Sequence, residues 1–360
     1  MQRGLADIAA IRATALAAAA SAGNPVDVYP VIRDALRALG DRHSSLLDPQ
    51  AAKRLTIGQR TGFGFDRFRD GIVFVYPGSP AAVAGLRDLD RIVGVNGRPT
   101  SSLTVDDANA ATLQLRVIHA GETEPVDLGM GRGEYSNVRL PAFHPLGRVG
   151  YLEVPSPVGD SDALARYIEA GATAIRESNA APPCGWVIDL RRNTGGYPFP
   201  MFAAIAPVVG DGAFMFQDQL DRRDTWSIAN GRVLVNGVPQ TGTGNAVVPG
   251  TFDPAIAVLV SSATASAGEA AAIAFVGKTS VRTFGEPTIG VTSTNVAYRL
   301  VDGAILQITT SYNIDRTGRV YDGPIQPDQQ IPVDWAKFGT QGDTMLRAAS
   351  DWLTQQRSCS

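Results

Sequence analysis

Hydrophobic positions over the first 57 residues recur at helical spacing. Leu5, Ile8, Ile11 and Leu16 form one amphipathic stripe, read as a helix of the mature fold. Val28, Ile32, Ala35 and Leu39 in "VYPVIRDALRAL" form a second, ended by Gly40 as a C-cap. A polar loop, "GDRHSSLLDPQ", follows. From 58 to 142 the texture changes to short alternating segments ("TGFGFDRF", "GIVFVYPGSPAAVAGL", "DRIVGVNGRPT") punctuated by Gly and Pro, which predicts a small β-rich unit with one embedded helix, "TVDDANAATLQL". From "RVGYLEV" onward, strands and helices alternate. The helix "DALARYIEAGATAI" leads to the buried strand "GWVIDL", the loop "RRNTGG" and the helix "PFPMFAAIAPVV"; the strand "AIAVLVSS" leads to the helix "SAGEAAAIAFVG" and the strand at "VRTFGEPTIG". That rhythm implies βαβ crossovers and an α/β layer. A hairpin turning at Arg316-Thr317-Gly318 and a helix "DTMLRAASDWL" close the chain. There are no internal repeats.

Composition changes this picture little. At 360 residues, two or three structural units are expected. Lys plus Arg is 32 against 35 for Asp plus Glu, a net of -3, so nothing argues for nucleic acid or an anionic membrane as a partner. No apolar stretch approaches the roughly 18 residues that would span a bilayer. Asp7 and Arg12 interrupt what would be the core of a signal peptide, and the chain as given reads as soluble. Two cysteines are too few for a disulfide framework: Cys184 reads as a buried strand start and Cys359 as a mobile tail residue. With three histidines, they argue against a zinc site, and no metal or cofactor is expected.

Three places could carry chemistry. Ser266-Ala267-Gly268-Glu269 fits a capping box at a strand-to-helix turn, with Glu269 supporting the helix start. The same geometry would set a serine hydroxyl beside free amides and the positive end of a helix, as a nucleophile requires. Asn193-Thr194-Gly195-Gly196, after the strand ending at Asp189, lets backbone approach a ligand or present amides. His43 stands in a polar loop; His119 reads as a turn residue and His144 as a linker residue.

Taken in order, "ALGDRHSSLL", "GFGF", "GSPAAVAGL" with "DRIVGVNG", "VIDLRRNTGG", "SSATASAGEA", "FGEPTIG" and "GPIQPD" resemble the S41 serine peptidases, which include the carboxy-terminal processing proteases, the tricorn core protease and the nisin resistance protein. The resemblance implies a mixed α/β fold: a ClpP/crotonase-like spiral core (143–360) with an inserted PDZ domain (58–142) after an N-terminal helical segment (1–57). It implies that Gly62, Phe63, Gly64 and Phe65 form a loop whose amides hold a peptide carboxylate, beside a strand edge open to β-augmentation. Leu89 departs from the pattern, standing where a glycine usually precedes the aspartate. Ser266 falls on the nucleophile position, with the amide of Ala267 and one from Gly195 or Gly196 as oxyanion hole.

The processing proteases carry a general-base lysine directly after the glycine of "G-E-P-T-x-G"; here that residue is Val291, and Lys278 lies on the wrong side of the intervening strand. The tricorn and nisin-resistance branches use a histidine from the "HS" loop, which points to His43 as base. A tricorn-like arrangement adds Ser44 and a carboxylate near "G-x-x-P-D", here Asp322 in place of glutamate. The expected function is a serine hydrolase, most simply an endopeptidase acting on peptide or protein. The alternatives are an ester, lactone or acyl-transfer enzyme, or a non-catalytic peptide or ligand binder on the same fold.

Overall fold

The computed structural model describes residues 7–177, 183–218, 222–242 and 254–359. Its centre is a sheet of six strands in the spatial order Gln329–Gln330, Val281–Gly285, Ala255–Val260, Gly185–Asp189, Val149–Glu153 and Ala142–Leu146; every neighbouring pair is parallel except the last. A sheet built by crossovers is covered on both faces, so its strands read as unbroken apolar runs. Ala255–Val260 is buried at all six positions.

Strand alternation sorts those side chains into two cores. Trp186, Ile188, Ile256, Val258 and Val260 face the helices Pro198–Val209 and Ala267–Ile273. Val187, Ala255, Ala257 and Leu259 face the helix Thr344–Thr354 through Met345, Leu346, Ala349 and Leu353.

A second, antiparallel sheet is organised on the long strand Ile305–Asp315. It pairs with Ser45–Leu47, Gly212–Asp218, Ser293–Arg299 and Val320–Tyr321. The pairing Ser45↔Gln307 anchors the loop just before it, so His43 is carried from the N-terminal segment to the core. The helix Pro25–Leu39 that leads into this loop packs Tyr29 and Leu36 against Leu46 and Ala304, and Gly40 ends it in the left-handed region at φ 73°.

The β-rich unit has its own core of Phe63, Val73, Ala81, Leu86, Ile92, Val95, Leu113, Leu115, Val117 and Met130. It is not free of the rest. Phe68 stacks on Trp335 at 3.9 Å between ring centroids, and Phe74 meets Phe338 edge-on at 5.2 Å.

Four expectations are corrected. The stretch "TVDDANAATLQL" is helical only over Val105–Asn109; Thr112–Ile118 is the central strand of a three-stranded sheet, because Leu113, Leu115 and Val117 alternate into the core. The first helix, Ile8–Ala19, buries none of its residues; Leu5 lies outside the described residues. His144 stands within the strand Ala142–Leu146 and faces Glu153 at 3.3 Å. Cys359 is buried and disulfide-bonded to Cys184 across 175 residues, with a Cα–Cα distance of 4.7 Å. The tail is thereby pinned to the start of a central strand, and Arg148 reinforces it by donating to the Cys359 carbonyl at 2.7 Å.

Candidate active site

Ser266 leaves the strand Ala255–Val260 through a short loop and opens the helix Ala267–Ile273. That loop is tied to the neighbouring strand end: Ser261 Oγ donates to the Arg191 carbonyl at 2.6 Å and Thr264 Oγ1 to that of Leu190 at 2.9 Å. Ser266 itself has φ 52° and ψ -121°, a conformation costing on the order of 1–3 kcal/mol for a non-glycine residue and persisting only where its surroundings enforce it. The enforcing group is Glu269. Its side chain, fully buried, accepts from the Ser266 and Val291 amides on one oxygen (3.0 and 2.9 Å) and from Gly290 N and Thr288 Oγ1 on the other (2.8 and 2.5 Å). Burial raises its carboxyl above the usual range, and these four hydrogen bonds oppose that rise. Ser266 Oγ turns to His43, with Nε2 at 2.9 Å.

The histidine is held from behind. Its Nδ1 lies 3.0 Å from Ser293 Oγ. Its carbonyl accepts from Asn295 Nδ2 at 2.9 Å, and its amide donates to Asp41 Oδ1 at 3.0 Å. Asp41 also accepts from the Ser44 amide (2.6 Å), Ser44 Oγ (2.7 Å) and Thr309 Oγ1 (2.9 Å). Burial pushes the Asp41 carboxyl up, but hydrogen bonds from Ser44, His43 and Thr309 outweigh it and leave the group below its usual range. Burial likewise pulls His43 below its usual value, and the Asp41 charge opposes that pull. Burial thus favours the neutral imidazole, the form that can accept a proton.

Beside the serine lies the loop 191–196. Asn193, wholly buried, clamps it: Nδ2 donates to the Val154 carbonyl at 2.8 Å, the Asn193 carbonyl accepts from Ala265 N at 3.0 Å, and Oδ1 accepts from Gly195 N at 3.0 Å. Gly195 has φ 111°, and a Cβ there would stand 2.8 Å from the Cβ of Ser266, so only glycine lets the loop approach so closely. Since Asn193 takes the Gly195 amide, the pair of amides without an acceptor among the described residues is Ala267 and Gly196. Free amide donors of this kind, where they meet a reacting carbonyl oxygen, can stabilise developing negative charge.

The other expected residues fall as follows. Ser44 touches Asp41 and Thr309 rather than the His43 ring. Asp322 is exposed, and the position behind Nδ1 belongs to Ser293. Lys278 donates to the Val209 carbonyl at 3.0 Å. In the β-rich unit, Gly64 has φ 87° and its carbonyl accepts from Tyr76 N and Ser79 Oγ; Phe63 is buried and its carbonyl accepts from Ala81 N. The Phe63 and Gly64 amides have no acceptor among the described residues. Phe65 begins the strand Phe65–Arg67 and lines a cleft of about 900 Å³ that runs between this unit and the core as far as Gly195 and Gly196.

Comparison with known proteins bears on this arrangement. The peptidase family S41 profile matches residues 148–331, and a PDZ domain profile matches residues 71–112. The chain belongs to peptidase family S41. It is 30% identical to the nisin-resistance protein of Lactococcus lactis subsp. lactis over 199 residues, 53% of this chain and 61% of that protein. It is 25% identical to a carboxyl-terminal-processing protease of Synechocystis over 358 residues, 92% of this chain and 78% of that one. In fold it is similar to a lipoprotein from Streptococcus agalactiae, with a TM-score of 0.62 and 18% identity, covering 96% of this chain and 88% of the other. The mixed α/β class and the PDZ domain expected from the sequence hold for this S41 chain. Ser293, Asp41, Asn295 and Thr309 were not singled out from sequence. Only Asp41, two residues before His43, carried a local signal.

Proposed function

We propose that this S41 chain is a serine endopeptidase working through Ser266 and His43, divided into an N-terminal helical segment (1–57), a PDZ domain (58–142) and a protease core (143–360). The observation that carries the reading is the 2.9 Å approach of His43 Nε2 to Ser266 Oγ, made by residues 223 positions apart. His43 takes the hydroxyl proton as Ser266 Oγ bonds to the carbonyl carbon of the substrate. The oxyanion so formed is held by the amides of Ala267 and Gly196, each donor worth roughly 3–4 kcal/mol in such a site. Collapse of the intermediate breaks the C–N bond, and His43 returns the proton to the departing amine. Water then cleaves the acyl-enzyme by the same route. Ser293 orients the ring; as a hydroxyl it stabilises the imidazolium less than a carboxylate would. The free amides of Phe63 and Gly64 suit the end of a bound peptide.

A fluorophosphonate probe tests this, with the adduct located by mass spectrometry. Wild type should label on Ser266 and Ser266→Ala should not. His43→Ala should label at least ~100-fold more slowly. Ser293→Ala should slow labelling by roughly 3–10-fold, the value of one neutral hydrogen bond. An unlabelled wild type, an adduct elsewhere, or equal rates for His43→Ala and wild type would sink the proposal.

A further inference from the structure

The cleft between the PDZ domain and the core holds charge that the hydrolytic residues do not use. Arg60, Arg67, Arg139 and Arg192 line it, and none forms an ion pair among the described residues. The acids in the same walls make contacts of their own. Asp189 is bound by the buried Arg191 at 2.6 Å, and burial beside Asp189 pushes the Glu153 carboxyl up to about 7. Asp66 accepts from the Tyr76 hydroxyl and Asp88 from the Val75 amide.

Arg192 stands out among the four. Its Nε and Nη2 are buried without any hydrogen-bond partner, while its guanidinium carbon lies 3.7 Å over the Phe74 ring of the PDZ domain. A guanidinium left without an anion in a sheltered place is costly, and such an orphan in a native fold calls for an explanation. Arg192 also lines the cleft, and its planar guanidinium, held against Phe74, is the kind of cation a carboxylate matches. Arg192 also stands three residues before Gly195, whose backbone abuts Ser266.

We infer that Arg192 is a specificity residue that binds a carboxylate of the substrate, either the α-carboxylate of a chain end or an Asp/Glu side chain, close to the scissile bond. This rests on the peptidase reading for the position of the carboxylate relative to the chemistry. Binding is therefore measured on the Ser266→Ala protein, where hydrolysis plays no part. The probes are fluorescein-labelled alanine/leucine heptapeptides in three forms: free acid, C-terminal amide, and amide with one glutamate placed at each position in turn. Fluorescence anisotropy should give at least ~10-fold tighter binding for one acid-bearing form than for the plain amide, as charge-assisted pairing requires. Which form responds identifies the source of the carboxylate.

Adding Arg192→Gln should bring the acid and amide forms within about 2-fold of each other, while Arg192→Lys, which keeps the charge but not the planar fork, should retain part of the difference. On the protein with native Arg192, the preference should shrink as salt rises from about 0.05 to about 0.5 M, and the partial loss in Arg192→Lys assigns it to this residue even if the glutamine variant does not fold. Equal binding of acid and amide forms (both undetectable included), a preference that survives Arg192→Gln, or one indifferent to salt overturns the inference. A clear preference in a protein that no fluorophosphonate labels would keep the carboxylate site and discard the peptidase reading.

Discussion

Replacing Glu269 is the sharpest test of how Ser266 is held. Its two oxygens serve four donors: Ser266 N and Val291 N on Oε2, Gly290 N and Thr288 Oγ1 on Oε1. In Glu269→Gln, an amide nitrogen placed at Oε2 would strand two backbone N–H groups. Placed at Oε1 it strands Gly290 N as the single backbone donor lost, while the Thr288 hydroxyl, which already accepts from Ile325 N at 2.8 Å, accepts from the new amide too and turns its proton elsewhere. The second orientation wins, and one stranded buried donor costs about 1–3 kcal/mol. Glu269→Ala strands all four, an amount comparable with the roughly 5–15 kcal/mol that holds a whole domain folded. Urea unfolding followed by tryptophan fluorescence should show the glutamine variant folded with a lower midpoint, and the alanine variant largely unfolded or insoluble. The folded glutamine variant should also label more slowly with fluorophosphonate, because the Ser266 amide then donates to a neutral, weaker acceptor. An alanine variant within about 1 kcal/mol of wild type, or a glutamine variant as damaged as alanine, would refute this account of the strained serine.

Three further outcomes follow from the structure. Burial holds His43 below its ordinary pKa while the Asp41 charge raises it, so the acid limb of kcat/KM should fall below the ordinary histidine value of about 6.5 and move lower still in Asp41→Asn. A limb moving upward in that variant would contradict the assignment. The lowered folded-state pKa also means that the unfolded chain binds this proton first, so stability contributed by neutral His43 is present above pH about 6.5 and lost as pH falls through that value toward the lower folded-state one. The Cys184–Cys359 bond closes most of the core, and reducing it should cost about 2–5 kcal/mol and lower Tm. Cys184→Ser with Cys359→Ser should show the same loss and no response to reductant; a wild type indifferent to reductant would argue that the bond does not form.

What could be read from the chain depended on how local each feature is. Ser266 and Glu269 declared themselves because a capping box and a strand-to-helix turn are written in four consecutive residues. The PDZ strand Thr112–Ile118 did not, although Leu113, Leu115 and Val117 alternate. Its alanine-rich approach matched helical propensity, and the flanking strands Arg91–Val95 and Pro125–Gly131 overrode it. The disulfide was invisible because two cysteines 175 residues apart carry no information on distance. Ser293 was invisible for a related reason: it reaches His43 only because Ser293–Arg299 and Ser45–Leu47 both pair with Ile305–Asp315, and register between distant strands is not written in either one.

That register also gives a physical account of the missing lysine. In Ser–Lys members of the family, the segment after "G-E-P-T-x-G" would deliver the base directly to the serine. Here Val291 occupies that position, yet its amide is still bound to Glu269, so the segment remains tied to the Ser266 backbone. Two residues on, Ser293 meets His43 Nδ1, and two further on, Asn295 holds the His43 carbonyl. The segment that carries the lysine in those members here braces His43, which arrives from the N-terminal loop. Restoring lysine at 291 without removing His43 would put an ammonium near an imidazole already held below its usual pKa, and like charge would lower it further. On the proposed Ser266–His43 mechanism the two bases are alternatives within one backbone frame rather than additive, and a Val291→Lys protein should gain no rate over wild type.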